Sequence, residues 1–406
     1  MNSIKRNIYL DRIIPFIDKH LIKVIVGQRR TGKSHILKQI MALITSSDAF
    51  THHIIYINKE DFEFDFINDY QDLIKYVEQK SKKSKNLALF IDEIQEIRQF
   101  EKALIHFHTK EKYDIYCSGS NARLLSGELS TLLSGRYIEF NIYSLTFPEF
   151  LDFHQLKYNQ DSFDKYMIYG GMPYLLHLNF NDEMTSDYLR SLYNTIVVKD
   201  VITRHAIRNV SFLQNLTVFI ADNTGSIISA KKISDYLKSQ HMKISSAVIQ
   251  DYLSFLSDAI FIHKVRRSDL QGKRIFEINE KYYFNDVGMR NSIVGYKVID
   301  IGKMLENIVF IHLKVAGYKI TVGVDRNKEI DFVAQKENEL LYVQVCYLLK
   351  EQSTVKREFG NLQKIKNNYP KMVVSADPHT KTSYQGIKHL NIKEFCFEIL
   401  KLKNTK

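Results

Sequence analysis

The chain has 406 residues, of which 45% are hydrophobic and 25% charged, and its formal net charge is +11. This length exceeds what one hydrophobic core usually supports, so we expect three domains, and the composition excludes a largely disordered chain. The three cysteines are widely spaced without a C-x-x-C pair, which argues against a disulfide framework or a zinc site and favours a reducing, cytoplasmic compartment. No apolar run approaches the roughly 18 residues that span a membrane, and the N-terminus is broken by Asp11, Arg12, Pro15 and Asp18, so we expect neither a membrane contact nor a signal peptide.

From residue 22 to about residue 142, short apolar runs alternate with longer helical stretches. The predicted strands are LIKVIV, HIIYIN, LALFID, YDIYCSG and YIEFNIY. Such alternation predicts a parallel sheet covered by helices on both faces. We assign residues 1–150 to this α/β domain.

A glycine-rich segment, GQRRTGKS, lies between the first strand and the first long helix with the spacing G-x-x-x-x-G-K-S. In a loop of this kind the glycines let the backbone approach a nucleotide's phosphates, and N–H groups at the helix start point at the anion. Lys33 would bridge the β- and γ-phosphates, and Ser34 would offer its hydroxyl to Mg²⁺. The predicted nucleotide-binding residues are Gly27, Gln28, Arg29, Arg30, Thr31, Gly32, Lys33, Ser34 and His35.

The third apolar run ends in two acids, Asp92 and Glu93, in LALFIDEIQEI. Alone, such a pair is typical of a helix N-cap. Together with the phosphate loop, it predicts that Asp92 binds Mg²⁺ and that Glu93 polarises the water that attacks ATP.

Polar residues at two later positions are further candidates for the catalytic site. Ser120 or Asn121, at the tip of YDIYCSG, would orient the water or contact the γ-phosphate, and a helix cap is the equal alternative. Arg136, after a Ser-Gly turn, would neutralise charge on the γ-phosphate in this subunit or a neighbouring one, and the alternative is a surface salt bridge.

Beyond residue 150 the pattern becomes helical, and YGGMPYLL predicts a bend or hinge in a helical lid over 151–211. Over 212–295, three helical stretches are followed by FIHKVRR, a polar turn and KYYFND, which is the order of a winged helix-turn-helix. The third helix is predicted to place five apolar residues on one face: Val248, Ile249, Tyr252, Leu253 and Leu256.

Basic residues cluster on the predicted wing, where they would reach DNA phosphates: Lys264, Arg266, Arg267, Lys273 and Arg274. The outward positions of the third helix include an acid and no arginine for guanine: Ser246, Gln250, Asp251 and Ser254. DNA binding through this segment therefore competes with a structural role as a lid or dimer element.

Several motifs together resemble bacterial and archaeal AAA-type ATP-binding proteins with a C-terminal domain of unknown function: GQRRTGKS, FIDEIQEI, SGSNARLLSGELSTLLSGRY, YSLTFPEFL and YGGMPYLL. The resemblance implies that Lys33 and Ser34 belong to the phosphate loop, Asp92 and Glu93 to the second acidic motif. It also implies a first sensor within 118–121 and Arg136 as a finger candidate. If Arg136 acts on a neighbouring subunit, the chain forms a homo-oligomer. A winged helix and a restriction-endonuclease-like tail follow from the same resemblance.

The tail, residues 296–406, is predicted to be a small α/β domain with the shape of a nuclease. Metal-dependent nucleases need two acids that hold the metal and a lysine that stabilises charge at the cleaved phosphate. Asp331 fits the acid at the end of one strand and Glu306 fits the acid that often lies on the preceding helix. The acid-x-lysine triplet of the next strand is absent, because Gln344 and Cys346 stand in place of its acid and its lysine and Lys350 is rather far along the chain. We therefore expect a tail that binds a partner protein or nucleic acid without cutting DNA.

The sequence thus predicts a Mg²⁺-dependent ATPase that acts on DNA or a protein partner. Two other classes stay open at this point. One is a slow nucleotide-dependent switch, and the other is an ATP-assisted DNA nuclease.

Overall fold

A computed structural model describes residues 4–46, 52–82, 86–122, 133–269, 279–325, 328–378 and 383–401. The chain forms two compact units, of which the first contains residues 1–142 and 258–260 and the second contains residues 143–257 and 261–406. The finer division at residues 150, 211 and 295 stays a prediction.

The first unit is built on a five-stranded parallel sheet with the strand order β2-β3-β4-β1-β5. Its strands are β1 (Ile22–Gly27), β2 (His53–Asn58), β3 (Leu87–Asp92), β4 (Tyr113–Gly119) and β5 (Tyr137–Ile142). Its helices are α1 (Asn7–Ile13), α2 (Lys33–Ser46), α3 (Tyr70–Lys80) and α4 (Phe100–Thr109). The five predicted strands and the parallel sheet are confirmed.

Strands β1, β3 and β4 are buried along their whole length. Their apolar side chains form one core with those of α3 and α4, which explains why these strands are continuous apolar runs. Because β4 lies between β1 and β3 and all three are parallel, the carboxyl ends of the three strands meet at one edge of the sheet.

The second unit contains an eight-stranded sheet with the order β12-β13-β11-β10-β9-β8-β6-β7. Its strands are β6 (Ile262–Asp269), β7 (Glu280–Phe284), β8 (Lys319–Asp325), β9 (Lys328–Lys336), β10 (Glu339–Val345), β11 (Lys371–Ser375), β12 (Ser383–Tyr384) and β13 (Ile387–Asn391). Strand β6 pairs antiparallel with β7 and parallel with β8. The hairpin of the predicted wing and the predicted tail therefore share one sheet, which crosses the boundary expected at residue 295.

Ten helices are described in the second unit. They are α5 (Phe147–His154), α6 (Gln160–Tyr169), α7 (Asp182–Thr195), α8 (Val210–Asp222), α9 (Ala230–Ser239), α10 (Ser246–Asp258), α11 (Val287–Val294), α12 (Ile301–Val315), α13 (Gln352–Gln363) and α14 (Ile392–Glu398). A π-helical segment, Ile196–Thr203, follows α7. Within the described ranges, no helix is long and apolar enough to cross a membrane.

The bend predicted in YGGMPYLL follows α6. Gly170 has a φ of 76°, and a side chain there would clash with the carboxylate of Asp286. That carboxylate accepts a hydrogen bond of 2.7 Å from the backbone N–H of Gly171. Only glycines allow the chain to turn this close to the N-terminus of α11.

Helix α10 differs from the prediction in one residue of its apolar face. Ile249, Tyr252, Leu253 and Leu256 are buried, but Val248 is 37% exposed. Because Val248 immediately precedes Ile249 in the helix, it lies about 100° around the axis, beyond the edge of the buried stripe.

Candidate functional site

The phosphate loop connects the end of β1 to the start of α2, in the first unit. Gly27 packs so closely against the backbone of Ile142 that a side chain would overlap its carbonyl oxygen. The loop then passes through left-handed conformations at Arg30, with a φ of 68°, and at Gly32, with a φ of 97°. The first N–H groups of α2 have no partners within the helix, so this turn forms a backbone site suited to an anion.

Side chains on both sides hold the loop in this shape. The Thr31 hydroxyl donates to the carbonyl of Gln28 over 2.8 Å, and the buried Arg6 guanidinium donates to the carbonyl of Thr31 over 2.9 Å. Arg29 forms an ion pair of 2.7 Å with Glu60, just after β2. These contacts preorganise the loop from three separate parts of the chain.

Lys33 and Glu93 meet between the loop and the end of β3. The Lys33 ammonium lies 3.4 Å from Glu93 Oε1 and donates to the carbonyl of Gln28 over 3.3 Å. Both side chains are buried. Glu93 adopts a left-handed backbone conformation with a φ of 53°, which is unusual for a residue with a side chain and is typical of functional sites.

The carboxylate of Asp92 is held on both oxygens. Ser118, at the end of β4, donates its hydroxyl to Asp92 Oδ1, and Tyr56 on β2 donates to Oδ2 over 3.2 Å. The Ser118 hydroxyl also accepts the backbone N–H of Glu93 over 3.2 Å. This serine therefore orients both acids at once.

Gln95 connects Glu93 to the tip of β4. Its side-chain N–H group donates to Glu93 Oε2 over 2.5 Å and to the hydroxyl of Ser120 over 3.4 Å. Burial by itself would raise the pKa of Glu93, but the charges of Lys33 and Arg29 and the Gln95 hydrogen bond outweigh it. The net pKa of Glu93 is lowered, so this carboxylate stays ionised at neutral pH.

The structure brings most of the predicted residues to this edge of the sheet. Asn121 and Ser120 are buried at the end of β4, and Ser34 is half-buried in the first turn of α2. Arg30 and His35 are exposed. The roles assigned to these residues stay predictions.

Arg136 lies at the opposite end of the strands from the phosphate loop. It directly precedes β5, and its carbonyl accepts the backbone N–H of Ile22 at the start of β1. The phosphate loop begins where β1 ends, one strand length away, which is about 20 Å for six residues. Arg136 is exposed at the opposite edge of the sheet, near His108, whose pKa is lowered by burial and by the charges of His20 and Arg136. It cannot reach the phosphate loop of its own chain.

Four contacting residues were missed from the sequence: Arg6, Tyr56, Glu60 and Gln95. Three of them lie on segments that carry no phosphate-loop motif, so only the strand order brings them close. A contact of Gln95 with Glu93 could have been predicted, because the two residues are only two positions apart in DEIQEI.

In the second unit, the predicted tail acids Glu306 and Asp331 converge on Lys281, which the sequence did not indicate. Gln344 is buried, and its side-chain carbonyl accepts the N–H of Asp331 over 3.4 Å. Burial raises the pKa of the Cys346 thiol, and Lys350 is exposed. Among the residues that the structure describes, no group of three or more His, Cys, Asp or Glu is suited to hold a metal ion.

The predicted wing is described only in part, because Lys273 and Arg274 lie outside the described residues. On β6, Lys264 and Arg266 are exposed, and Lys264 forms an ion pair of 3.1 Å with Glu280 on β7. The four outward positions of α10 named above are exposed, as predicted.

Comparisons with known proteins identify the first unit's class. Residues 19–151 match a family model described as an AAA domain, and residues 160–299 match a domain of unknown function (DUF8612). The chain is 36% identical over 400 residues to an uncharacterized protein of Haemophilus influenzae, covering 97% of this chain and 99% of the relative. It is 32% identical over 347 residues to the uncharacterized protein MJ1544 of Methanocaldococcus jannaschii, covering 81% of this chain and 75% of the relative.

Among solved structures, the chain is similar to the Walker-type ATPase PABY2304 of Pyrococcus abyssi. The TM-score is 0.48 at 15% identity, and the match covers 70% of this chain and 93% of that chain. The family-model match over residues 19–151 confirms the AAA-domain part of the resemblance seen in the sequence, and the restriction-endonuclease-like tail stays a prediction.

Proposed function

This chain belongs to the same family as the uncharacterized Haemophilus influenzae and Methanocaldococcus jannaschii relatives, and its residues 19–151 match an AAA domain. We propose that it is a Mg²⁺-dependent ATPase. Its hydrolysis would be coupled to binding or remodelling of DNA or of a protein partner. The observation that carries the proposal is the contact of 3.4 Å between Lys33 and Glu93, with Asp92 beside them. A phosphate-loop lysine and a candidate base meet where the strands end.

The residues present fit ATP and Mg²⁺. The open space beside Gly32 and the free N-terminus of α2 suit phosphate oxygens, and Lys33 adds a positive charge. Ser34 and Asp92 would hold Mg²⁺, whose charge would neutralise that of the β- and γ-phosphates. Asp92 is kept in place for this role by the hydroxyls of Ser118 and Tyr56.

Glu93 would accept a proton from the attacking water. Its lowered pKa leaves it ionised and ready to do so, although a lower pKa also weakens its basicity. In the present arrangement its two oxygens contact Lys33 and Gln95. Phosphates that attract Lys33 would release one of these oxygens for the water.

The same contacts favour a second candidate, a slow nucleotide-dependent switch. If the contact with Lys33 has to be broken at every turnover, hydrolysis is slow until a partner shifts Glu93. Turnover that is low alone and strongly stimulated by a partner would identify this case.

For the partner, we propose DNA contacted through β6 and the neighbouring helices α8 to α10, whose order is that of a winged helix. Support comes from the net charge of +11 and from the exposed Lys264 and Arg266. A protein partner or a second copy of this chain remains the alternative, because α10 presents Asp251 and no arginine to solvent.

The test is hydrolysis of a panel of nucleotides with and without Mg²⁺ and duplex or single-stranded DNA. We expect ATP hydrolysis that requires Mg²⁺, and loss of nucleotide binding in Lys33→Ala. Glu93→Gln should bind ATP and hydrolyse it roughly 100-fold or more slowly, since a general base contributes that much. Lys38→Ala, at an exposed position of α2, is the matched control. Hydrolysis by Glu93→Gln at the wild-type rate would show that Glu93 is not the base.

A further inference from the structure

In the second unit, three carboxylates from two elements surround the ammonium group of a lysine on a third element. Lys281 Nζ, on β7, lies 2.8 Å from Glu306 Oε1 on α12, 2.7 Å from Glu329 Oε1 and 3.4 Å from Asp331 Oδ1, both on β9. The Lys281 side chain is 3% exposed and that of Asp331 is 10% exposed. Burying a lysine is costly unless its charge is compensated, and here three carboxylates surround it.

Further hydrogen bonds fix the carboxylates in place. Tyr283 donates its hydroxyl to Glu306 Oε1 over 2.6 Å, and the backbone N–H of Val345, on β10, donates to Asp331 Oδ2 over 2.9 Å. The cluster therefore ties the β6–β7 hairpin to α12, β9 and β10.

The position of Lys281 conflicts with a metal ion. Glu306 and Asp331 are the acids that a metal-dependent nuclease would use, and Mg²⁺ or Mn²⁺ needs carboxylate oxygens at about 2.1 Å. The ammonium group already lies among these oxygens at hydrogen-bonding distances. The residues present therefore do not fit a divalent metal.

We infer that Lys281 is a built-in cation that takes the place of a metal ion in this carboxylate cluster and holds the β6–β7 hairpin to the tail. Burial alone would lower the pKa of Lys281, but Glu306, Asp331 and Glu329 reverse this and raise it, so the ammonium stays charged. Burial and the neighbouring Glu306 raise the pKa of Asp331, which limits the excess negative charge around the lysine. This inference concerns the second unit and does not rest on ATP hydrolysis.

The inference is tested with Mn²⁺ and nucleotide-free, full-length protein. Melting temperature and Mn²⁺ binding are measured for the wild type, Lys281→Ala, Lys281→Gln, Asp331→Asn, and Lys281→Ala combined with Asp331→Asn, and DNA cleavage is assayed for the wild type and Asp331→Asn. The exposed Lys264→Ala, on the other strand of the hairpin, is the control. We expect the wild-type melting temperature to be the same in Mn²⁺ and in EDTA. Lys281→Ala should melt roughly 10 °C lower, because removing one partner leaves the acids uncompensated.

Mn²⁺ should restore part of the lost melting temperature in Lys281→Ala, and the added Asp331→Asn should abolish that rescue. If Lys281→Ala folds only when Mn²⁺ is present, the inference is equally supported, and Lys281→Gln, which keeps a hydrogen-bond donor, provides the folded variant. Two outcomes would overturn it: no Mn²⁺ rescue in either Lys281 variant, or wild-type Mn²⁺ binding or DNA cleavage that disappears on Asp331→Asn.

Discussion

Glu93 combines an unusual backbone conformation with a buried side chain that contacts Lys33 of the phosphate loop. A left-handed φ of 53° turns the chain sharply after β3, and the Glu93 carboxylate then lies between Lys33 and Gln95. A conformation of this kind costs about 1–3 kcal/mol for a residue with a side chain, so the surrounding contacts must hold it. The backbone hydrogen bond from Glu93 to Ser118 is one of these contacts.

Gln95 provides a prediction at this scale. Its side chain donates to both Glu93 and Ser120, so it positions Glu93, the proposed base, relative to the tip of β4. Gln95→Ala should lower kcat for ATP roughly tenfold and leave KM nearly unchanged, because a positioning contact is lost and no phosphate contact is removed. Steady-state ATP hydrolysis measures both constants.

The matched control for Gln95 is Glu96→Gln, since Glu96 is the next residue and is exposed. It should behave like the wild type. If the kcat of Gln95→Ala equals that of this control, Gln95 has no role in positioning Glu93. A change confined to KM would instead assign Gln95 to nucleotide binding.

Among the elements, the strands of the parallel sheet were predictable to within one residue at their ends. Buried parallel strands are apolar on both faces, so each appears in the sequence as a continuous apolar run. Such a run can be recognised without knowing which distant residues pack against it. The phosphate loop was predictable for a similar reason, because its chemistry lies in consecutive residues.

Contacts that depend on strand order were not predictable. Tyr56 reaches Asp92 because β2 pairs with β3, and Lys281 reaches Asp331 because the β6–β7 hairpin joins the tail sheet through β8. The order of residue types along the chain indicates neither pairing. That Gln344 and Cys346 depart from a nuclease pattern stays a prediction, and the sequence did not indicate Lys281, which lies on a strand about 60 residues earlier.

Strand β6 carries a prediction about DNA. Arg266 is exposed, whereas Lys264 shares its charge with Glu280. We expect duplex binding to be weakly sequence-specific. Its affinity should fall about tenfold or more between low and physiological salt, since phosphate contacts release counterions. Arg266→Ala should weaken binding to all sequences about equally and reduce this salt slope, as measured by fluorescence anisotropy.

Lys38→Ala is a suitable control for the DNA measurement, because it removes an exposed positive charge from α2, in the first unit and outside the segments proposed to contact DNA. Equal losses in both variants would indicate a nonspecific effect of net charge. An affinity that does not change with salt would contradict a phosphate interface altogether.

At the scale of the whole molecule, the position of Arg136 decides how it can act. The sheet separates it from its own phosphate loop by one strand length, so a contact with a γ-phosphate is possible only if a second copy supplies it. We propose such a homo-oligomer, in which the edge that carries Arg136 meets the nucleotide edge of a neighbour.

Mixing two inactive variants tests this arrangement. Lys33→Ala and Arg136→Ala should each hydrolyse ATP poorly, and their mixture should recover part of the activity. In a mixed interface, the Arg136→Ala chain supplies an intact phosphate loop and the Lys33→Ala chain supplies the arginine. A mixture of Lys33→Ala and Glu93→Gln is the matched control and should stay inactive, because Lys33 and Glu93 contact each other within one chain and no mixed interface contains both. Full activity of Arg136→Ala alone would reduce this residue to a surface arginine, and rescue in the control mixture would show that the assay does not report on shared sites.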